Sequence, residues 1–271
     1  MIRAGVVGNP IGHSLSPAIQ NAWIAAANLD AEYDAFVGPL DGFADFIGGL
    51  QERGLRGVNV TIPFKEEALA LADEASELAK LAGAANLLVF EDGRVRADNT
   101  DGPGLLVALK DRAGFDPTSG PAVILGAGGA ARGAAAALVL AGSPQVRIVN
   151  RTRERAHALA ASVGEHVIDY HSAEDAFEGA AVIINATSLG LGGGEGPNAP
   201  FEHAPGSAVV MDMVYKPLIT QFLDAAAERG HPTVDGLEML IGQARPSFEA
   251  LFGIAPPLEV DARAVAVEAM A

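Results

Sequence analysis

The sequence predicts an α/β protein of two domains, each a sheet covered by helices. Three observations carry that prediction. Short apolar runs alternate with alanine-rich stretches almost from end to end, the pattern of parallel or mixed sheets. The alternation is interrupted by a hairpin pattern and then restarts at Pro121. The restart opens on Leu125-Gly126-Ala127-Gly128-Gly129-Ala130-Ala131-Arg132, a glycine-rich loop set between a strand and a helix.

Taken in order, Ile2 to Val7 is a strand, and a helix opens at Ser16-Pro17, where proline suits the first turn. Glu32 to Val37 is the second strand, Gly42 to Arg53 a helix, and Gly57 to Thr61 a third, short strand. A helix begins near Phe64-Lys65, and alanine-rich helical sequence follows to Leu81. Asn86 to Phe90 and Arg94 to Ala97 form a hairpin with its turn at Glu91-Asp92-Gly93. The helix after Asp101-Gly102-Pro103-Gly104 leads into the second domain. There Ala122 to Leu125 and Val146 to Val149 are strands, with a helix through Ala134 to Leu140 between them. Further strands are expected at Val182 to Asn185, Ala208 to Met213 and Thr233-Val234. Gly190 to Pro205, rich in glycine and proline, is a loop. Helices from Leu237 onward are expected to return to the first domain. The expected division is 1–101 with 237–271 against 102–236, with ligands gathered in the cleft between the two.

Composition narrows the function. The 271 residues suffice for two modest cores. A formal net charge of −16 argues against nucleic acid or an anionic membrane as partner. The sequence does not choose between a monomer and a homodimer. Cysteine is absent, which excludes disulfides, thiolate zinc sites and cysteine nucleophiles within this sequence. The 6 histidines are scattered without metal-ligand spacing, so no metal is expected. Met1 to Val7 reads directly as a strand, and no apolar run reaches membrane-spanning length. A cytoplasmic location is the expectation.

The glycine-rich loop has a physical logic. Gly126 permits a tight turn, Gly128 lets the backbone approach a pyrophosphate, and Ala131 is small enough for close helix–strand packing. The amide groups of the following helix would face the phosphates. This is the dinucleotide loop of a Rossmann domain. One strand later comes Asn150-Arg151-Thr152-Arg153-Glu154-Arg155. With Thr152 at the helix cap, Arg153 and Arg155 fall in the first turn, against the helix dipole, at a cost of about 0.3–1 kcal/mol each. An anion among them reverses that sign. A ribose 2′-phosphate suits guanidinium groups, and an NAD-preferring loop would carry an acid here. The cofactor expected is NADP, and with it redox chemistry.

Four polar clusters stand at strand ends or helix starts in the first half. Ser14 and Ser16 could hold a carboxylate near a helix N-terminus, although capping by Ser16 explains them as well. Asn59 and Thr61 share a strand face, and Lys65 follows at a helix start where a cation again opposes the dipole. Asn86 opens a strand, and Asp98-Asn99-Thr100-Asp101-Gly102 is a polar turn.

These clusters belong to an ordered series: GNPIGHSLSP, NVTIPFKE, GAAN, DNTDG, GAGGAAR, NRTRERA, NATSLG, DMVY and DGLEMLIGQA. In that series, over nearly its whole length, the chain resembles the shikimate dehydrogenase family. These are NADP-dependent enzymes that reduce 3-dehydroshikimate to shikimate in aromatic amino acid biosynthesis. The resemblance implies an N-terminal α/β substrate domain, a doubly wound Rossmann domain that binds NADP, and a C-terminal helical return. It assigns Ser14 and Ser16 to the substrate carboxylate, and Asn59, Thr61, Asn86 and Gln243 to ring hydroxyls. Lys65 and Asp101 become the catalytic pair, and Tyr215 lines the substrate side. Gly126, Ala127, Gly128, Gly129, Ala130, Asn150, Arg151, Thr152 and Arg155 bind the cofactor. Met213 and Gly236 flank the nicotinamide, with Thr187 and Ser188 nearby. Glu77 matches a position that some members place beside the cofactor. Gln20, Leu87 and Leu191 depart from the histidine, threonine and methionine common in the family, and none removes a catalytic group.

The chemistry suits these groups. Reduction of a ring ketone needs hydride on one face and a proton at the carbonyl oxygen. A lysine ammonium beside that oxygen stabilises alkoxide charge and supplies the proton, while Asp101 orients Lys65. The residues leave open which of the two holds the mobile proton. A paralogue acting on quinate or an aminated analogue is the alternative among enzymes, and the paired serines lean towards shikimate. An NADP(H)-sensing protein without turnover is the other class, and intact Lys65 and Asp101 count against it.

Overall fold

The computed structural model describes residues 1–270. Two compact units divide the chain: Met1–Asp101 together with the segment from Leu240 onward, and Gly102–Met239.

In the first unit the order is β1 (Ile2–Gly8), α1 (Ser16–Ala26), β2 (Ala31–Val37), α2 (Phe43–Glu52), β3 (Gly57–Val60), α3 (Lys65–Ala70), β4 (Glu74–Ala75), α4 (Glu77–Ala82), β5 (Leu87–Glu91) and β6 (Arg94–Asp98). Helix α5 (Asp101–Ala113) begins on the unit's last residue before the chain leaves it. The strands make one sheet in the order β2-β1-β3-β5-β6-β4. β1 runs parallel to β2 and β3, and β5 is antiparallel to β3 and β6. The hairpin turns through Asp92 and Gly93, both at positive φ (51° and 75°), as a two-residue turn of matching twist demands. Its core contains Val7, Phe43, Ile47, Leu50, Val58, Phe64 and Leu88. Phe43 and Phe64 stack with centroids 4.5 Å apart. Gly57 is required where β3 meets β5, since a Cβ there would lie 2.4 Å from the Leu88 carbonyl oxygen.

The second unit takes the rest of α5 and then β7 (Ala122–Leu125), α6 (Gly129–Leu140), β8 (Val146–Val149), α7 (Arg153–Val163), β9 (Val167–Tyr170), α8 (Ala173–Phe177), β10 (Val182–Asn185), β11 (Val209–Asp212), α9 (Gln221–Glu228) and β12 (Thr233–Val234). Its sheet order is β12-β11-β10-β7-β8-β9, with every neighbouring pair parallel. This is the doubly wound order, which changes winding direction between β7 and β10. Parallel strands covered on both faces must be apolar throughout, and β7, β10 and β11 are buried at every position.

Helices α10 (Gly236–Phe252) and α11 (Ala262–Met270) complete the chain. From Leu240 they belong to the first unit, where Trp23 of α1 meets Phe248 edge-on at 5.6 Å. The chain thus passes back to the first unit inside α10.

Several local expectations change. The stretch from Lys65 to Leu81 is two short helices with β4 between them. Asp73 donates its N–H to the Val95 carbonyl and Ser76 donates to Ala97, so sheet pairing outweighs alanine's helix preference. Ser16 lies inside α1 and caps nothing, the cap position being Leu15. Strand β9, unmarked by any alternation, is a sheet edge paired with β8. The loop from Gly190 to Pro205 contains two 3-10 turns, Leu191–Gly193 and Phe201–His203.

Phe64 links this core to the site, because it is the last residue before α3 and is fully buried. Phe64→Ala is expected to cost about 3–5 kcal/mol of unfolding free energy in a urea melt.

Candidate active site

Lys65 is the first residue of α3, held there by its buried neighbour Phe64 and by its own carbonyl, which accepts from Ala85 N–H at 2.8 Å. Asp101 is the first residue of α5, and its N–H donates to Asn99 Oδ1 at 3.1 Å. Across 36 residues of sequence, Lys65 Nζ donates to Asp101 Oδ2 at 2.7 Å. The two side chains remain 31% and 23% exposed, so the ammonium is held and still reachable. A carboxylate at a helix N-terminus is favoured by the dipole, and it offsets the disfavoured position of the lysine.

Asn86 braces the pair. Its side-chain N–H groups face Asp101 Oδ1 and Thr100 Oγ1, both at 2.9 Å, and its Oδ1 accepts from Thr100 N–H at 2.7 Å. That pattern fixes which way the amide points. Both oxygens of Asp101 are therefore engaged, one by Lys65 and one by Asn86. Gln243 Oε1 lies 3.4 Å from Asn86 Nδ2 and 3.3 Å from Thr100 Oγ1. Leu87 follows Asn86 as a buried core residue of β5, and the asparagine is held without a hydroxyl there.

Two residues behind the pair were not marked by the sequence, Ser247 and Tyr33. Ser247 Oγ is 3.1 Å from Thr100 Oγ1 and accepts from Asn59 Nδ2 at 2.9 Å. Asn59 Nδ2 also donates to the Asn86 carbonyl, and Tyr33 Oη donates to Asn59 Oδ1 at 2.8 Å. Both N–H groups of Asn59 are spent inside the protein, which leaves one lone pair of Oδ1 for a ligand. Complete burial pushes the Tyr33 phenol far above its ordinary range, so it stays a donor. Ser247 stands one helical turn beyond Gln243, and i, i+4 spacing from that residue could have revealed it.

Ser14 and Ser16 stand at the start of α1. Ser14 Oγ takes only a 3.4 Å contact from Ser16 N–H. Among the described residues no hydrogen bond of the Ser16 or Thr61 hydroxyl is present. Four residues past Ser16, Gln20 Nε2 donates to the Ala244 carbonyl next to Gln243. Thr61 packs against Gly8, where a Cβ would come within 2.5 Å of its methyl group. Exposed Glu77 opens α4 behind the cap Ser76, a position that helix electrostatics alone favours.

In the second unit the glycine loop follows β7 and ends in α6. Gly126 has φ +114° and sits against Thr187 and Ala186, where a Cβ would meet Thr187 Cγ2 at 3.0 Å. Side chains at Gly128 and Gly129 would point into open space, and no side chain caps α6. Ala127 is half-buried and Ala130 exposed, so the first-turn amides are accessible. Asn150 turns back to the Thr152 carbonyl. Thr152 is the cap position of α7 with no side-chain cap bond, and Arg151, Arg153 and Arg155 are all exposed beside it. An open amide cradle with cations at the next helix start fits a dinucleotide with an extra phosphate. Thr187 and Ser188 follow β10, Met213 and Tyr215 follow β11, and Gly236 opens α10. A Cβ on Gly236 would lie 2.4 Å from the Met213 carbonyl oxygen, so only glycine fits against that backbone. Burial pushes the Tyr215 hydroxyl above its ordinary range.

Residues 6–88 match the model of the shikimate dehydrogenase substrate binding domain, 111–190 that of shikimate / quinate 5-dehydrogenase, and 236–266 that of the shikimate 5′-dehydrogenase C-terminal domain. A Caulobacter vibrioides protein named shikimate dehydrogenase (NADP(+)) is 59% identical over 98% of this chain and 95% of its own. The chain belongs to the shikimate dehydrogenase family. Among solved structures, shikimate 5-dehydrogenase from Thermus thermophilus in complex with NADP(H) and shikimate has a TM-score of 0.89 at 39% identity, covering 99% of this chain and 100% of that one. Quinate dehydrogenase from Corynebacterium glutamicum in complex with NAD has 0.87 at 28% identity, covering 98% and 97%. As a family member the chain is an oxidoreductase, and among the described residues no helix is long and apolar enough to cross a membrane.

The brace on the ion pair has a measurable worth. A hydrogen bond to a charged group contributes about 1.5–3 kcal/mol. Asn86→Ala is expected to lower kcat/KM roughly 10- to 100-fold, read in steady-state kinetics.

Proposed function

We propose that this chain catalyses the reversible, NADP-dependent reduction of 3-dehydroshikimate to shikimate. The observation that carries the proposal is the Lys65–Asp101 pair, held at 2.7 Å and braced by Asn86, in a family member whose relatives bear that name. Proximity of an ammonium to a braced carboxylate makes a proton donor with a fixed direction. The nicotinamide cofactor, when bound, supplies or accepts the hydride.

The protein's own groups do the rest. Lys65 stands as hydrogen-bond donor and proton source for the substrate carbonyl oxygen, and its charge stabilises the alkoxide that develops there. Asp101 keeps Nζ aimed, and Asn86 keeps Asp101 aimed. Ser14, Ser16, Thr61 and Tyr215 have hydroxyl capacity left for the substrate carboxylate and ring hydroxyls. Asn59 offers a single acceptor, which suits a hydroxyl donor. Gly126 to Ala130 would hold the pyrophosphate, and Arg151, Arg153 and Arg155 the 2′-phosphate. Thr187, Ser188, Met213 and Gly236 would border the nicotinamide, and Glu77 belongs to the same reading. Two diffusible reactants require no membrane, consistent with a cytoplasmic monomer or homodimer.

Absorbance at the NADPH band tests this directly, with shikimate or quinate against NADP or NAD. Turnover is expected with shikimate and NADP, with a strong preference over NAD. Equal efficiency with both cofactors would remove the role of the arginines, and faster turnover of quinate would reassign the substrate. Lys65→Ala is expected to lower kcat by roughly 10²–10⁴ with little change in KM.

A further inference from the structure

We propose that Asp212 is a positioning residue for the nicotinamide end of the cofactor site, a buried carboxylate that locks the loop after β10 to the loop after β11. The proposal rests on the functional reading above, which places the nicotinamide beside those loops. Asp212 is the last residue of β11 and is fully buried. Its Oδ1 accepts from Asn185 Nδ2 at 2.9 Å and from Val214 N–H at 3.0 Å, and its Oδ2 accepts from Thr220 Oγ1 at 2.6 Å. All three donors are neutral, among the described residues no ion pair is formed by this carboxylate, and burial pushes it above its ordinary range. A buried carboxylate without a counter-ion is costly, and a neutral residue would serve a merely structural corner more cheaply.

The reach of the three bonds gives the carboxylate its use. Asn185, which ends β10, accepts from Thr187 N–H at 3.0 Å and Thr187 Oγ1 at 2.7 Å, and donates to the Leu189 carbonyl. Thr187 in turn is the side chain that Gly126 must clear. Val214 lies between Met213 and Tyr215, and Met213 N–H donates to the Asn185 carbonyl at 3.0 Å. Thr220 caps α9 by accepting from Leu223 N–H, so its hydroxyl proton is free to point at Asp212. The loops are joined once more where Gly192 N–H donates to the Lys216 carbonyl. One carboxylate thereby sets Thr187, Met213 and Tyr215 together, with β7 standing between their strands and β8, which leads to the arginine run.

The test uses the full-length enzyme and the variants Asp212→Asn, Thr220→Val and Thr220→Ser. KM for NADP, KM for NAD, kcat, KM for shikimate, NADP binding by calorimetry and thermal midpoint are measured for each. Asn at 212 cannot accept at both positions, so KM for NADP and for NAD should each rise about tenfold. Their ratio should stay unchanged, because the 2′-phosphate groups are untouched. Thr220→Val should raise both cofactor KM values about threefold, and Thr220→Ser should restore them. If Asp212→Asn fails to fold, the Thr220 pair decides alone. A lowered thermal midpoint with unchanged cofactor KM would reduce Asp212 to a structural part and overturn the proposal, as would a shift confined to NADP. Wild-type enzyme that binds no NADP in the calorimeter would instead overturn the functional reading itself.

Discussion

The hydrogen bond between Lys65 Nζ and Asp101 Oδ2 is the constraint on which the site depends. A lysine at a helix start is electrostatically misplaced, and an aspartate at another helix start is well placed. Joining the two makes the pair a single unit whose direction is set by whatever holds the carboxylate. That holding is done by Asn86, whose amide is fixed in turn by Thr100 and approached by Gln243. Behind these stand Ser247, Asn59 and Tyr33, each with its polar atoms paired. Buried polar groups of this kind are tolerable only when the network is closed, and closure removes alternative rotamers from the reacting end.

The fold explains why so many distant segments meet. Asn59 is the third residue of β3, Asn86 precedes β5, and β3 and β5 pair antiparallel so that Asn59 lies opposite Leu87. Asp101 comes at the end of the strand hairpin, where β6 gives way to α5. Gln243 and Ser247 are supplied by α10, which joins this unit only at Leu240. A chain that leaves for a second unit and returns can thus contribute groups from both of its ends to one network. In the second unit, the winding of the parallel sheet puts the ends of β7 and β10 side by side. The glycine loop and Thr187 meet there, where a doubly wound sheet offers its ligand crevice.

Much of this was legible in the residues. The glycine loop, the arginine run and the hairpin at Asp92-Gly93 carry local signals, because each depends on a conformation or charge that few residues supply. Lys65 stood out through its unfavourable place against a helix dipole. β4 was illegible because an alanine-rich stretch has no preference strong enough to resist pairing with β6. β9 was hidden by its shortness and by its edge position, which leaves Ile168 exposed. The spent amide of Asn59 could not be read either, since only tertiary structure brings Tyr33 and Ser247 to it. Asp212 and Asn185 lay inside quoted motifs, yet their bond to each other spans two strands and has no sequence spacing to announce it.

The central claim is that Lys65 and Asp101 act as one catalytic unit rather than as two independent contributors. A double-mutant cycle on kcat, built from Lys65→Met, Asp101→Asn and the combined variant, measures that directly. Strong non-additivity is expected, with the double variant within about threefold of the slower single variant. Losses that simply multiply would contradict it, because residues that act separately lose their contributions separately.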